Sequence, residues 1–127
     1  MTEWRLHYET LNPDERAFVA AVLAKLQAHR GEGNAIKASD LAKHFGHRND
    51  RMVRKAIGLL IERGHPIASS TSRKQGGYFI VTTRDEAQHY LNSLHSRATE
   101  DFIRHKNFAK AAQTVFNIPY EQIKLEM

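Results

Sequence analysis

The chain of 127 residues contains no cysteine, and this absence removes several classes of protein at once. Disulfide scaffolds, thiolate enzymes and zinc fingers that hold their metal through cysteine are all excluded. No stretch approaches the roughly 18–20 consecutive apolar residues that a membrane-spanning helix requires, and the N-terminal stretch lacks the apolar core of a signal peptide. We therefore expect a cytoplasmic protein that has no membrane association.

Proline and glycine are few, three and seven residues respectively, and they mark the ends of predicted helices. The first helix is predicted to begin with Asn12 as its N-cap, Pro13 in the first helical position and Glu15 completing a capping box. Gly31 and Gly33 are predicted to end it. The apolar residues between these signals recur at the spacing of one helical face, which indicates a helix packed on a core.

Residues 35–81 contain the most informative succession of elements. A short extended piece at 35–37 leads to a short helix, for which Ser39 is the predicted N-cap and Gly46 the predicted end. Asn49 is predicted to cap a third helix, which Gly64 closes. The pattern is typical of two helices joined by a turn.

A hairpin is predicted after the third helix. Two β-rich runs, Ile67–Ser70 and Tyr78–Val81, are separated by the seven residues TSRKQGG. Gly76 and Gly77 can supply the positive φ of the return. The loop is too long for a tight two-residue turn, so we expect a projecting tip that carries Arg73 and Lys74.

Positive charge is concentrated in this part of the chain. Between Lys43 and Arg84 there are nine Lys or Arg residues and two acids, whereas the remainder holds ten basic and twelve acidic residues. The formal charge of +5 therefore comes from one basic segment on a slightly acidic body. Such a distribution favours a polyanionic partner.

The third helix is predicted to be amphipathic. Steps of 100° per residue place its aliphatic residues on one side, which we expect to face the core. These are Val53, Ala56, Ile57, Leu60 and Ile61. The opposite side holds three cations near the helix start, a glycine and one acid near the end: Arg51, Arg54, Lys55, Gly58 and Glu62.

Residues 35–81 resemble the biotin-repressor-type winged helix-turn-helix of bacterial and phage DNA-binding proteins. The residues that carry the resemblance are Ile36, the run Ser39–Gly46, the run Asn49–Gly64, Pro66-Ile67 and Gly77–Ile80. The resemblance implies a mostly α fold with a small β-hairpin (α+β) that binds double-stranded DNA. Only 46 residues follow Val81, so no biotin ligase domain is expected.

In this interpretation the recognition helix, residues 50–63, enters the major groove, and the wing, residues 67–81, contacts the flanking backbone. We expect a nucleoid-associated transcriptional regulator or an accessory factor of a phage or mobile element. The expected DNA-binding residues are Ser39, Arg48, Asn49, Arg51, Arg54, Lys55, Gly58, Arg73 and Lys74. Winged helices also bind proteins, so a protein-interaction adaptor is the alternative.

The sequence after the wing predicts a long helix. Its apolar stripe extends beyond Ala98. Two alternatives are open: one helix continues to about 116, or the helix breaks near Thr99, which could cap a separate helix. Its length and stripe suggest a homodimer. The expected organisation is a winged helix-turn-helix domain at 1–82, a helical extension at 83–118 and a tail at 119–127.

The last six residues, QIKLEM, resemble the sliding-clamp-binding peptides of bacterial replication and repair proteins. An extended peptide of this kind places its alternate apolar side chains on one side, where a groove can receive them. The candidate partner-binding residues are Gln122, Ile123, Leu125 and Met127. A replication accessory protein recruited to a clamp is therefore part of the alternative function.

Catalytic and metal-binding patterns are not found in the sequence. His44 and His47 are three residues apart, but Gly46 separates them at a helix end, and no HExxH motif is present. The segment from Lys74 to Gly77 does not have the order of a phosphate-binding loop. We expect a protein that is not an enzyme and that uses neither a metal nor another cofactor.

Overall fold

The computed structural model describes residues 8–70 and 76–117. Within these ranges the elements follow the order α1 (Pro13–Leu26), α2 (Ala38–His44), α3 (Arg51–Glu62), β1 (Ile67–Ser70), β2 (Gly77–Ile80) and α4 (Arg84–Phe116). The protein is mostly helical, with a small antiparallel hairpin and a long C-terminal helix, so the predicted α+β class is confirmed. The chain divides into two compact units, residues 1–90 and 91–127.

The core of the first unit lies between its three helices and the hairpin. Val22, Leu26, Leu41 and Val53 are completely buried there. α1 and α2 both pack against α3, and β1 packs against the same helix. Burial of each such aliphatic side chain contributes roughly 1.5–3 kcal/mol, so the position of α3 is fixed by its aliphatic side.

The start of α1 has the predicted capping box. The Asn12 side chain accepts a 2.8 Å hydrogen bond from the Glu15 backbone N–H, and the Glu15 carboxylate accepts one of 2.9 Å from the Asn12 N–H. The predicted end of α1 is wrong, because the helix stops at Leu26. The backbone after Leu26 pairs with β2 instead: the Ile80 N–H donates to the His29 carbonyl, and the Gly31 N–H donates to the Ile80 carbonyl. Because these residues pair with a strand, they do not continue the helix.

α2 and α3 end just before the two predicted glycines, but neither helix begins at its predicted N-cap. Gly46 and Gly64 follow α2 and α3 with φ of 75° and 99°. Ser39, however, lies inside the first turn of α2, whose N-cap is Lys37. The cap position of α3 is Asp50, and the Asn49 side chain instead accepts a 3.1 Å hydrogen bond from the Arg51 N–H.

The hairpin pairs Ile67 with Ile80 and Ser70 with Gly77. β1 has the predicted bounds, whereas β2 begins and ends one residue earlier than the predicted run Tyr78–Val81. The extended piece before α2 also joins it, because Ile36 and Tyr78 exchange backbone hydrogen bonds of 2.9 and 2.7 Å. The hairpin is thereby connected to the segment that leads into α2. Residues 71–75, which contain the predicted tip cations Arg73 and Lys74, lie outside the described residues.

α4 is one continuous helix from Arg84 to Phe116, so the predicted alternative of a break near Thr99 is not observed. The Thr99 hydroxyl donates a 2.9 Å hydrogen bond to the His95 carbonyl one turn earlier, which is a contact within a helix and not a cap. No helix among the described residues is both long and apolar enough to cross a bilayer.

Candidate nucleic-acid interface

The exposed side of α3 is the feature around which the candidate site is built. Its buried side consists of Val53, Ala56, Ile57, Leu59 and Leu60, each at most 6% exposed. The opposite side holds Arg51, Arg54, Lys55, Gly58 and Glu62, all exposed as predicted. The cations occupy the first half of the helix and the single acid occupies its last turn.

The prediction that Ile61 belongs to the buried side of α3 is wrong. Ile61 is 46% exposed, whereas Leu59, which the sequence did not assign to the core, is 6% exposed. The physical reason is the position of α1: Phe18 of this helix and Leu11, which lies just before it, border the same cavity as Leu59. Packing against α1 rotates the buried arc of α3 towards Leu59 and turns Ile61 away from the core.

Arg54 is the most strongly engaged cation of the site. Its Nε donates a 2.9 Å hydrogen bond to Asp50, and its Nη1 donates a 2.9 Å bond to the Tyr78 hydroxyl of β2. The hydrogen bond that Arg54 donates to the Asp50 carboxylate, followed by the electrostatic interaction with Tyr78, raises the pKa of Arg54 above its ordinary value. Arg54 is therefore an exposed charged group that two partners orient.

Lys55 lies on the other border of the exposed side. It adjoins a cavity of about 300 Å³ between α1 and α3, whose walls are mainly apolar side chains such as Phe18 and Met52. Arg54 therefore lies towards the hairpin and Lys55 towards α1, with Arg51 on the exposed side they share. Across residues 8–70 and 76–117, no ion pair involves Arg51 or Lys55.

The turn before α3 contributes two of the predicted residues. Arg48 and Asn49 are exposed immediately before the helix, and Arg48 forms no ion pair with the described part of the chain. Ser39 is exposed in the first turn of α2. The structure thus places Arg48, Asn49, Arg51 and Arg54 along one short stretch of chain, with Ser39 on the preceding helix.

One cation of the basic segment is engaged elsewhere. The Arg63 guanidinium lies 3.9 Å from the centroid of the Tyr8 ring, and its Nη1 is 3.7 Å from the Glu9 carboxylate. This stacking connects the end of α3 to the segment before α1. Arg63 is therefore better explained as a structural contact than as part of the exposed cationic side of α3.

The sequence did not predict that Asp50 and Tyr78 contact Arg54. The spacing of Asp50 and Arg54, four apart on a helix start, is a signal that the sequence contains. Tyr78 offers no such local signal, because its proximity depends on the pairing of β2 with Ile36. The predicted tail residues Gln122, Ile123, Leu125 and Met127 lie outside the described residues.

No metal site adds to this arrangement: in the described ranges, no three His, Asp or Glu side chains are grouped to hold a metal ion. Comparison with known proteins does not identify a relative. No protein-family model matches the chain, and neither a curated protein nor a solved structure matches it significantly.

Proposed function

We propose that the protein binds double-stranded DNA, with α3 in the major groove and the hairpin segment 67–81 against the flanking backbone. The observation that carries this proposal is the division of α3 into a buried aliphatic side and an exposed cationic side. Arg51, Arg54 and Lys55 are all exposed in its first half. The major groove of B-DNA is wide enough to admit one α-helix.

The chemistry of the exposed side supports this partner. Arginine forms bidentate pairs with guanine or phosphate, and lysine supplies a compact positive charge. Glu62, the acid of this side, is three turns from the helix start and would lie away from the groove. Gly58 presents no side chain and has open space around its missing Cβ, which allows close approach of the nucleic acid.

The cellular role we propose is that of a transcriptional regulator or an accessory factor of a phage or mobile element. It is supported by the resemblance of residues 35–81 alone. We also propose that two copies associate through α4, where Leu91, Leu94 and Phe102 are 57%, 40% and 52% exposed on one side of the helix. Two copies would present two recognition helices to a symmetric DNA site.

Duplex binding at increasing salt concentration tests the DNA proposal. Fluorescence anisotropy with a random-sequence duplex should give a linear fall of log K with log salt, with a slope of about 0.9 per phosphate contact. Arg51→Ala and Lys55→Ala should each weaken binding several-fold, and loss of a phosphate contact should reduce the slope by about 1.

Arg97→Ala is the matched control, because Arg97 is an exposed cation of α4 that belongs to the second unit. It removes the same charge from the protein as Arg51→Ala does. If Arg51→Ala and Lys55→Ala bind duplex as tightly as Arg97→Ala at every salt concentration, the exposed side of α3 is not the DNA interface.

A further inference from the structure

Arg54 is attached at two points by residues from two different elements. Asp50, at the start of α3, accepts from Nε, and the Tyr78 hydroxyl on β2 accepts from Nη1, both at 2.9 Å. The Arg54 guanidinium carbon also lies 5.8 Å from the centroid of the Tyr78 ring. Two attachments at different nitrogens restrict rotation about the long side chain and so define the plane of the guanidinium group.

The same two bonds leave the guanidinium able to bind a ligand. Arginine has five N–H donors, and the two bonds use one on Nε and one on Nη1. The remaining donors are on Nη1 and Nη2, which suffices for a bidentate pair with two acceptors. The side chain is 56% exposed, so this end of the group is open to a partner.

A purely stabilising role accounts poorly for this arrangement. An exposed ion pair four residues apart on a helix contributes little to stability, and Asp50 provides no side-chain cap to α3. The contact with Tyr78 adds a partner from the hairpin, far from Arg54 in sequence. What the two partners jointly determine is the orientation of the guanidinium plane.

We infer that Asp50 and Tyr78 are positioning residues that orient Arg54 for bidentate pairing with the O6 and N7 edge of a guanine. They thereby determine base preference at one position of the DNA site. This inference rests on the proposed function. A guanine edge is favoured over a phosphate because it presents two acceptors in one fixed plane, whereas a phosphate accepts from many directions.

Selection from a duplex library with a randomised centre tests the inference. The full chain should enrich a guanine at one position, and Arg54→Lys should lose that preference while others remain. Tyr78→Phe keeps the ring but removes the hydroxyl, and Asp50→Ala removes the carboxylate that accepts from Arg54 Nε. Both should reduce the guanine preference roughly five- to tenfold, while binding to a random-sequence duplex changes less than about twofold.

Tyr90→Phe is the matched control for Tyr78→Phe. The Tyr90 hydroxyl contacts Ser69 of the hairpin at 3.4 Å and does not contact Arg54. Its loss should leave the selected sequences unchanged. A second measurement replaces the selected guanine with 7-deazaguanine, which lacks the N7 acceptor; the full chain should lose affinity strongly and Tyr78→Phe should lose much less.

Three results would overturn the inference. If Tyr78→Phe and Asp50→Ala select guanine as strongly as the unmodified chain, neither residue positions Arg54, although DNA binding itself would stand. If Arg54→Lys weakens every duplex equally, Arg54 contacts a phosphate. If the unmodified chain shows no salt-dependent duplex binding, the proposed function fails and the inference falls with it.

Discussion

Gly77 of β2 lies directly against the backbone of Ile36, so that a Cβ at residue 77 would overlap the Ile36 carbonyl group. The neighbouring residue Tyr78 exchanges both of its backbone hydrogen bonds with Ile36. Close approach at residue 77 and pairing at residue 78 therefore belong to one contact. This contact fixes the hairpin beside the start of α2 and brings the Tyr78 hydroxyl to Arg54.

Gly77→Ala should destabilise the protein by about 2 kcal/mol or more. The residue has a φ of 132°, which side-chain-bearing residues rarely adopt, and the added methyl group overlaps backbone that cannot move independently. Chemical denaturation followed by circular dichroism measures the change. A loss of less than about 0.5 kcal/mol would show that the contact with Ile36 is not as tight as the structure describes.

Gly58→Ala is the matched substitution with the opposite expected sign. Gly58 lies within α3 and has an ordinary helical conformation, and apart from its chain neighbours and the backbone of its own helix no atom lies within 4 Å of its missing Cβ. Alanine should therefore stabilise the protein by roughly 0.5–1 kcal/mol through its higher helix propensity.

A larger side chain at Gly58 tests whether α3 approaches DNA closely. Gly58→Gln should be tolerated in folding, because the side chain enters open space, but it should weaken duplex binding if α3 approaches DNA closely. Thermal melting and anisotropy on the same preparations separate the two effects. Duplex affinity equal to that of the unmodified chain would contradict close approach at Gly58.

Glu86 should make the stability of the first unit depend on pH. Its carboxylate accepts 2.9 Å hydrogen bonds from the Thr82 and Glu32 backbone N–H groups, and these bonds lower its pKa. A carboxyl whose pKa is lower in the folded state stabilises that state above its unfolded pKa of about 4.3. The stabilisation is lost as pH falls through the folded pKa.

Glu86→Gln should therefore cost stability, on the order of 1 kcal/mol, at pH 6–7, and the difference should shrink as pH falls below about 4. Urea denaturation at a series of pH values measures it. Asp85→Asn is the control, since Asp85 is an exposed acid in the same helical turn. A Glu86→Gln difference that is constant from pH 7 to pH 3 would show that the charge of Glu86 does not contribute.

Local signals in the sequence predicted much of this fold. The capping box at Asn12 and the glycine ends at Gly46 and Gly64 need only neighbouring residues, and all three are observed. The errors arise where distant pairing intervenes. Ile36 pairs with Tyr78 and keeps Lys37 extended, so α2 begins at Ala38 and Ser39 falls inside the helix.

The same distinction holds for the candidate site. Helical periodicity placed Arg51, Arg54 and Lys55 on the exposed side of α3, because that side is set by the sequence of one helix. The Tyr78 contact with Arg54 depends on the register of β2 against Ile36, which no local pattern specifies. The rotation of α3 towards Leu59 depends likewise on where α1 packs.

Association of two copies through α4 can be tested on the exposed apolar residues of the second unit. Leu91, Leu94 and Phe102 follow the 3.6-residue period of one helical side. Three large apolar side chains exposed together on one side favour a partner that covers them. We expect sedimentation at tens of micromolar to give twice the chain mass. Leu94→Glu should give the monomer mass without loss of helix content.

Ile103→Glu is the control for this association. Ile103 is 51% exposed in the same helix, but it lies about 100° around the axis from Phe102 and about 120° from Leu91, so its substitution should leave the dimer intact. Dissociation should also reduce affinity for a symmetric DNA site far more than for a single half-site, because a dimer engages both halves at once. A monomer mass for the unmodified chain would refute the pairing and leave DNA binding by one α3 to be judged separately.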